Sequence, residues 1–379
     1  MNTTDFSEKK SGELIRNLHG TWSFVPHPLP PRIEVDWELA ATLDRATRAL
    51  AELAGSGPSL KNANLLIRPF VKREAVYSSR IEGTRSGYED LVLFEGAEVV
   101  QTDDVREIAN YVRALDLGIE RIQSLPIGAR LIGEMHAVLL KDVRGNDKRP
   151  GQIRTEQNWI GSRQIETARY VPPPREEMMR GLGDLERYVN TDATLPPLVK
   201  IALTHYQFEA LHPFLDGNGR IGRILITLML MSEGLLPSPL LFLSAYFDRT
   251  RDEYYDRLLD VSRHGAWKEW TAYFLAGVTE QARDASDRAR RLTELREEYM
   301  AAVSGPRTSI LLHKLIDHLF AQPMVTAGYV KKILAITPAS AQKHVDRLVR
   351  EGILREVTGR QRNRIFSADA VLAIVDPKQ

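Results

Sequence analysis

Residues 212–223 read His-Pro-Phe-Leu-Asp-Gly-Asn-Gly-Arg-Ile-Gly-Arg, which sets a histidine, a carboxylate, two arginines and three glycines in one short stretch. Gly217 and Gly219 allow the backbone to turn successive N–H groups inward, and a helix opening near Gly219 adds its positive end, so the loop forms a nest for phosphate oxygens. Arg220 and Arg223 stand about one helical turn apart and can put two guanidinium forks on the same anion. Asp216 would repel that anion unless a divalent cation lay between them, and magnesium suits a shared carboxylate and phosphate. His212, neutral near pH 7, can take a proton from an incoming hydroxyl. The same histidine has another reading. His205 is seven residues away on one helix face, and His136 could join both in a three-histidine metal site.

A second group lies far upstream. Ser78 and Glu82 are four apart and share a helix face, while Gly83 is suited to ending the helix just beyond the carboxylate. Downstream, residues 243–247 with Tyr246, and the pair Tyr254 and Tyr255, supply aromatic rings.

The elements that must position these groups are mostly helical. Apolar residues recur every three or four positions over 37–53, 64–81, 104–122 and 129–140, and again over 176–189, 196–210, 219–231, 250–262 and 267–302. Pro69 is an alternative start for the second, because proline suits a first turn and not an interior. Residues 18–34, with Trp22 and four prolines, read as an extended segment laid over a surface as a brace. Residues 152–170, around Gly161 and closed by Pro172, Pro173 and Pro174, read as a short hairpin in which Trp159 is a packing anchor. Ser304-Gly305-Pro306 punctuates the chain. Beyond it come short helices at 327–334 and 339–351 and two strands at 354–357 and 364–366.

Composition sets outer limits. With 43% hydrophobic residues the chain can bury ordinary cores, and with no cysteine it has neither disulfides nor a thiol nucleophile. The N-terminus lacks a secretory layout and the most apolar run, 224–231, is too short to span a bilayer, so a cytoplasmic protein without a membrane span is expected. Net charge is +1, yet from Pro306 onward there are 12 Lys/Arg against 6 Asp/Glu, so the basic surplus sits in the tail.

The 212–223 string resembles the Fic family motif, His-x-Phe-x-(Asp/Glu)-Gly-Asn-Gly-Arg-x-x-Arg, at every specified position. An accidental match has odds on the order of 10⁻¹⁰ per starting position. The resemblance implies a mainly α fold, a Fic helical core with a small β-hairpin flap, and a protein adenylyltransferase that moves AMP from ATP to a Ser, Thr or Tyr hydroxyl and releases pyrophosphate. By it His212 is the general base, Phe214 packs beneath the loop, and Asp216 holds Mg2+. Gly217, Asn218 and Gly219 bind the α- and β-phosphates, Arg220 stabilises the leaving pyrophosphate, and Arg223 binds the γ-phosphate. Tyr246 borders the adenine pocket, where Arg249 and Thr250 replace an amide side chain. The 150–161 segment resembles the lead-in to the family's flap, whose edge holds the target by backbone pairing. Ser78-Ser79-Arg80-Ile81-Glu82-Gly83 resembles the family's inhibitory motif, (Ser/Thr)-x-x-x-Glu-(Gly/Asn), which implies that Glu82 pairs with Arg223 in place of the γ-phosphate.

The tail resembles a winged helix (α+β), with Ser340, Gln342, Lys343 and Arg347 on a recognition helix and Arg360, Arg362 and Arg364 on the wing. The expected layout is an N-terminal helical region with the inhibitory helix over 1–125, a Fic catalytic core with its following helices over 126–303, and a winged-helix domain over 306–375. The partners are a target protein or the chain itself, and a second copy of the chain; the winged helix serves DNA binding or protein contact. Two alternatives stay open: a DNA-binding regulator whose core is self-modifying or sensory, and an enzyme working in the de-AMPylating direction.

Overall fold

The computed structural model describes residues 1–6, 11–59, 63–97, 102–191, 194–305 and 309–377. Two strands, β1 (Gly12–Arg16) and β2 (Trp22–Pro26), precede the first helices α1 (Trp37–Ser59), α2 (Ala63–Ile81), α3 (Tyr88–Ala97), α4 (Asp103–Arg121) and α5 (Ala129–Leu139). Then follow α6 (Arg175–Thr191), α7 (Pro197–Leu211), α8 (Asn218–Ser232), α9 (Ser244–Arg249), α10 (Arg251–His264) and α11 (Trp267–Val303). The last segment holds α12 (Ile310–Ala321), β3 (Met324–Thr326), α13 (Ala327–Leu334), α14 (Pro338–Arg350), β4 (Arg355–Glu356), β5 (Ile365–Ser367) and α15 (Asp369–Val375).

The long helix α11, about 55 Å at 1.5 Å per residue, is the spine against which α1, α7, α12 and α15 pack. Antiparallel α7 and α8 form the hairpin that carries the glycine-rich loop at its tip. Both are nearly all buried, as their two-sided apolar sequences require. Helix α2 lies across this core and presents its C-terminal end to the start of α8.

Several expectations shift. Helix α2 keeps the expected span and the alternative start at Pro69 falls away, since its buried face, including Phe70, Val71 and Val76, holds it together across the missing donor. Helix α3 was not expected. Its apolar residues Leu91, Val92, Leu93 and Phe94 are consecutive, so no one-sided period marks it. The N-terminal brace contains a hairpin, with Leu14 opposite Phe24, and β2 also meets the flap, since Phe24 N–H donates to the Val171 carbonyl at 2.9 Å. The expected flap hairpin over 152–170 forms no ladder. It reduces to one bridge between Ile160 and Tyr170. Its remaining backbone groups are met by a mixture of β2, the 212–214 loop and side chains such as Arg154 and Gln157.

The tail folds as a winged helix with sheet order β3-β5-β4. Thr326 and Thr337 cap α13 and α14, each accepting a backbone N–H three residues on. Strand β3 was not expected from sequence. The domain is seated on α2: Lys72 Nζ donates to the Ala321 carbonyl at 2.7 Å and Gln322 Oε1 at 2.9 Å, and Tyr77 OH donates to Asp376 Oδ1 at 2.9 Å.

Candidate active site

His212 ends α7 in the left-handed region, φ 49° and ψ 60°. Its Nδ1 faces the Glu209 carbonyl at 3.2 Å, so that nitrogen carries the proton and Nε2 keeps its lone pair. Burial dominates its titration and pushes it down to about 4, against the opposing pull of the Glu209 carbonyl; the imidazole is neutral at pH 7.

The loop that follows is held from below. Phe214 is fully buried and stacks on His136, ring centres 3.8 Å apart. The Asn218 amide closes the turn on Phe214, accepting its N–H and donating to its carbonyl, both at 2.8 Å. One amide donor and the amide oxygen are therefore committed to the loop, and Asn218 also offers an anion its backbone N–H. Gly217 is the N-cap of α8 with no side-chain cap, so the first-turn donors of Asn218, Gly219 and Arg220 have no partner within the helix. A Cβ on Gly219 would stand 2.3 Å from Glu82 Oε1 and 2.9 Å from Arg223 Nη1. Only glycine lets an anion come this close to the helix end.

Arg220 is 1% exposed; its Nη2 lies 3.4 Å from Asp216 and its Nη1 3.5 Å from Glu107 Oε2, while Nε and Nη1 have no hydrogen-bond partner among the described residues. A buried guanidinium flanked by two carboxylates at long range, with two donors unmet, has donors left to offer a further anion. Arg223 is different. Its Nε donates to Ser78 Oγ at 2.8 Å, and its Nη2 to the Ser78 carbonyl at 2.9 Å and Glu82 Oε1 at 2.7 Å. Burial works against the charge on Glu82, but Arg223, with Arg220 and His212, outweighs it and holds the carboxyl below its ordinary range. Gly83 turns the chain away with φ +93°.

Asp216 accepts the Gly217 N–H at 2.6 Å through Oδ1 and is 37% exposed. Among the described residues no cluster of three or more His, Asp or Glu could hold a metal. A lone, open carboxylate beside uncapped helix donors suits magnesium, which completes its shell with phosphate and water. The three-histidine reading fails. His136 spends Nε2 on the Asp216 carbonyl at 2.9 Å and Nδ1 on the Gly151 N–H at 2.8 Å; His205 spends Nδ1 on the Gly222 carbonyl at 3.1 Å and Nε2 on Tyr254 OH at 2.7 Å.

Tyr246 packs between Tyr273, at 5.1 Å, and Arg249, and none of its ring or charge contacts is with the loop. Tyr254 and Tyr255 are the rings whose titration feels Arg223 and Glu82. Four residues whose roles the sequence reading left unassigned complete the site. Glu107, buried, ties Arg220 to Arg144 and Thr84. Arg154 and Asn158 grip the loop from the flap, and Glu209 lies one turn before His212 with Oε1 buried and unpartnered. Burial pushes the Glu209 carboxyl up to about 8. A period-keeping Glu107 on α4 or Glu209 on α7 looks like any helical glutamate until the fold turns it inward.

On the winged helix, Lys343 and Arg350 of α14 and Arg360, Arg362 and Arg364 of the wing are exposed, whereas Arg347 is partly held by Glu351 at 2.8 Å.

Residues 40–120 match the family described as Fic/DOC family N-terminal, 126–230 the Fic/DOC family, and 312–367 an HTH DNA binding domain. The chain is 30% identical to the protein adenylyltransferase fic-1 of Caenorhabditis elegans over 177 residues, which cover 46% of this chain and 32% of that protein. It is 26% identical to the protein adenylyltransferase Fic of Drosophila yakuba over 257 residues, 64% of this chain and 46% of that one. It thus spans a third to a half of the length of these relatives. In fold it is similar to a Fic family protein from Desulfovibrio desulfuricans G20, with a TM-score of 0.56 at 16% identity over 90% of this chain and 98% of the other. The Fic-1 structure from C. elegans gives a TM-score of 0.51 at 22% identity over 68% and 74%.

Proposed function

From a chain that carries the Fic/DOC family's N-terminal and core domains followed by a helix-turn-helix domain, we infer an autoinhibited protein adenylyltransferase that moves AMP from ATP to a Ser, Thr or Tyr hydroxyl. The observation that carries this reading is the neutral His212 beside an uncapped helix end and a buried Arg220 with unmet donors. The target oxygen attacks the α-phosphorus while His212 Nε2 takes its proton. The bond from that phosphorus to the bridging oxygen breaks and pyrophosphate leaves. The N–H groups of Asn218 and Gly219 hold the phosphates, and Arg220 meets the charge on the leaving group. Asp216 would hold Mg2+, which supplies charge neutralisation to the phosphates when bound.

Glu82 is the brake. It occupies Arg223, which the γ-phosphate needs, and two anions cannot share one guanidinium in a small cleft without strong repulsion. Incubation with α-labelled ATP and cell lysate tests this: Glu82→Gly raises protein labelling and His212→Ala removes it. Equal, undiminished labelling by both variants would sink the mechanism.

The helix-turn-helix match and the exposed basic residues of α14 and the wing favour a second, compatible role, binding of duplex DNA. A gel shift should weaken with salt, and Lys343→Ala should reduce the salt slope by about one. A salt-independent shift counts against it. Among the described residues no helix is long and apolar enough to cross a membrane. A cytoplasmic setting is part of this proposal.

A further inference from the structure

Arg154 is buried to 1% exposure, yet no carboxylate pairs with it among the described residues. Its donors go to carbonyls instead: Nε to His212 at 2.9 Å, Nη1 to Glu156 at 3.1 Å, and Nη2 to Pro173 at 2.6 Å and Leu211 at 3.4 Å. Its own backbone N–H donates to the Pro213 carbonyl at 2.9 Å. Asn158 adds Nδ2 to the Phe214 carbonyl at 2.9 Å and the His212 carbonyl at 3.4 Å. Four successive carbonyls, from Leu211 to Phe214, are thus held by two side chains and one backbone amide of the flap.

An unpaired buried guanidinium is costly, and burial pulls Arg154 down to about 10. A structural staple could be made from neutral amides, as Asn158 and Gln157 illustrate here. The charge calls for its own reason, and the carbonyl at the centre of the grip belongs to His212. That residue sits at positive φ without being glycine, a conformation that persists only if its surroundings hold it. Arg154 supplies that hold, and its positive charge also disfavours a proton on the neighbouring imidazole.

We propose that Arg154 is a positioning residue for the transfer reaction: its fork holds the His212 carbonyl and fixes that residue in the left-handed conformation, so that the flap and the general base form one unit. The inference rests on the adenylyltransferase reading of the site. Arg154 grips the His212 end of the loop and bonds none of Asn218, Gly219 and Arg220, which meet the phosphates, so it acts on the chemical step and not on ATP binding. Because the same side chain also bonds the flap at Glu156 and Pro173, target docking on the flap edge and alignment of His212 are mechanically joined.

The test uses the full chain in the Glu82→Gly background, with AMP transfer kinetics and the His212 imidazole resonances followed against pH. Arg154→Gln is expected to lower kcat about 100-fold, the scale of an ångström of misplacement, with the KM for ATP unchanged. The acid limb of its pH–rate profile and the His212 titration both move to higher pH, a change that a merely structural role would not produce. Arg154→Lys keeps the charge and loses the fork: His212 titrates as in the parent, while kcat stays well below it. A folded Arg154→Gln with the parent's kcat and His212 titration overturns the proposal. If that variant does not fold, Arg154→Lys decides, and a parental kcat there overturns it. Should Glu82→Gly itself fail to label protein, the adenylyltransferase reading falls, while the imidazole titration still tests the Arg154–His212 coupling.

Discussion

Helix α2 makes two very different contacts. At its C-terminal end Glu82 meets Arg223 through one charge-assisted bond from a carboxylate that is 30% exposed. Half-way along, it is seated under the winged helix by Lys72 and Tyr77, both buried, with bonds to Ala321, Gln322 and Asp376. The first is a contact that another anion can replace, because phosphate offers Arg223 the same bond. The second is a packed joint with nothing to exchange for. If Glu82 is the brake proposed above, an element built this way would keep its scaffold fixed while its tip is released.

The largest expected effect is at the tip. A charge-assisted hydrogen bond of about 2–3 kcal/mol corresponds to roughly 30- to 150-fold, so Glu82→Gly should raise AMP incorporation by about that factor. Labelling within threefold of the wild type would mean that Glu82 does not set the off state. The joint should matter less. Tyr77→Phe removes one hydrogen bond, about 1 kcal/mol, and should raise labelling by less than about fivefold, because Ser78 and Glu82 still meet Arg223. An effect as large as that of Glu82→Gly would erase the distinction and make the winged helix the dominant restraint.

The two regions also differ in how much of them can be read from sequence. In the loop, chemistry is local: His212, Asp216, Gly217, Gly219, Arg220 and Arg223 must be adjacent in the chain to share one nest, so spacing alone predicts their meeting. Ser78 and Glu82 are legible through helix periodicity and a family resemblance, though they lie far from Arg223 in sequence. The joint is not legible. Lys72, Tyr77, Gln322 and Asp376 are ordinary surface types brought together only by the packing of α2, α12 and α15. Arg154 escapes for a related reason, since its partners are carbonyls, which carry no sequence identity. The flap's missing ladder follows from the same kind of contact, because β2, the 212–214 loop and the Arg154 and Gln157 side chains meet backbone demand that a hairpin reading assigns to a second strand. Tyr246 is the reverse case, an aromatic assigned by resemblance whose ring neighbours, Phe247, Tyr273 and Arg249, carry no sign of that role in the sequence.

The smallest effect is one of stability, and its sign separates two carboxyls of the catalytic region. Glu209 has its carboxyl raised to about 8, first by burial. Between its ordinary value near 4.5 and 8 the unfolded chain gives up this proton and the folded chain keeps it, so the folded state loses stability as pH rises through that window. Glu82 is depressed, so its contribution is complete above the ordinary carboxyl range and is lost only as pH falls through the lowered value. Over pH 5 to 8 Glu82 is therefore constant and Glu209 is not. Glu209→Gln, which cannot ionise, should gain in melting temperature relative to wild type as pH is raised from 5 to 8, whereas Tyr77→Phe should stay at a fixed offset, its phenol being held above its ordinary range and so protonated throughout. Melting curves at four pH values check both. Parallel curves for Glu209→Gln and wild type would place the Glu209 carboxyl in contact with water, and the catalytic region would then lack the buried acid that distinguishes it from the joint.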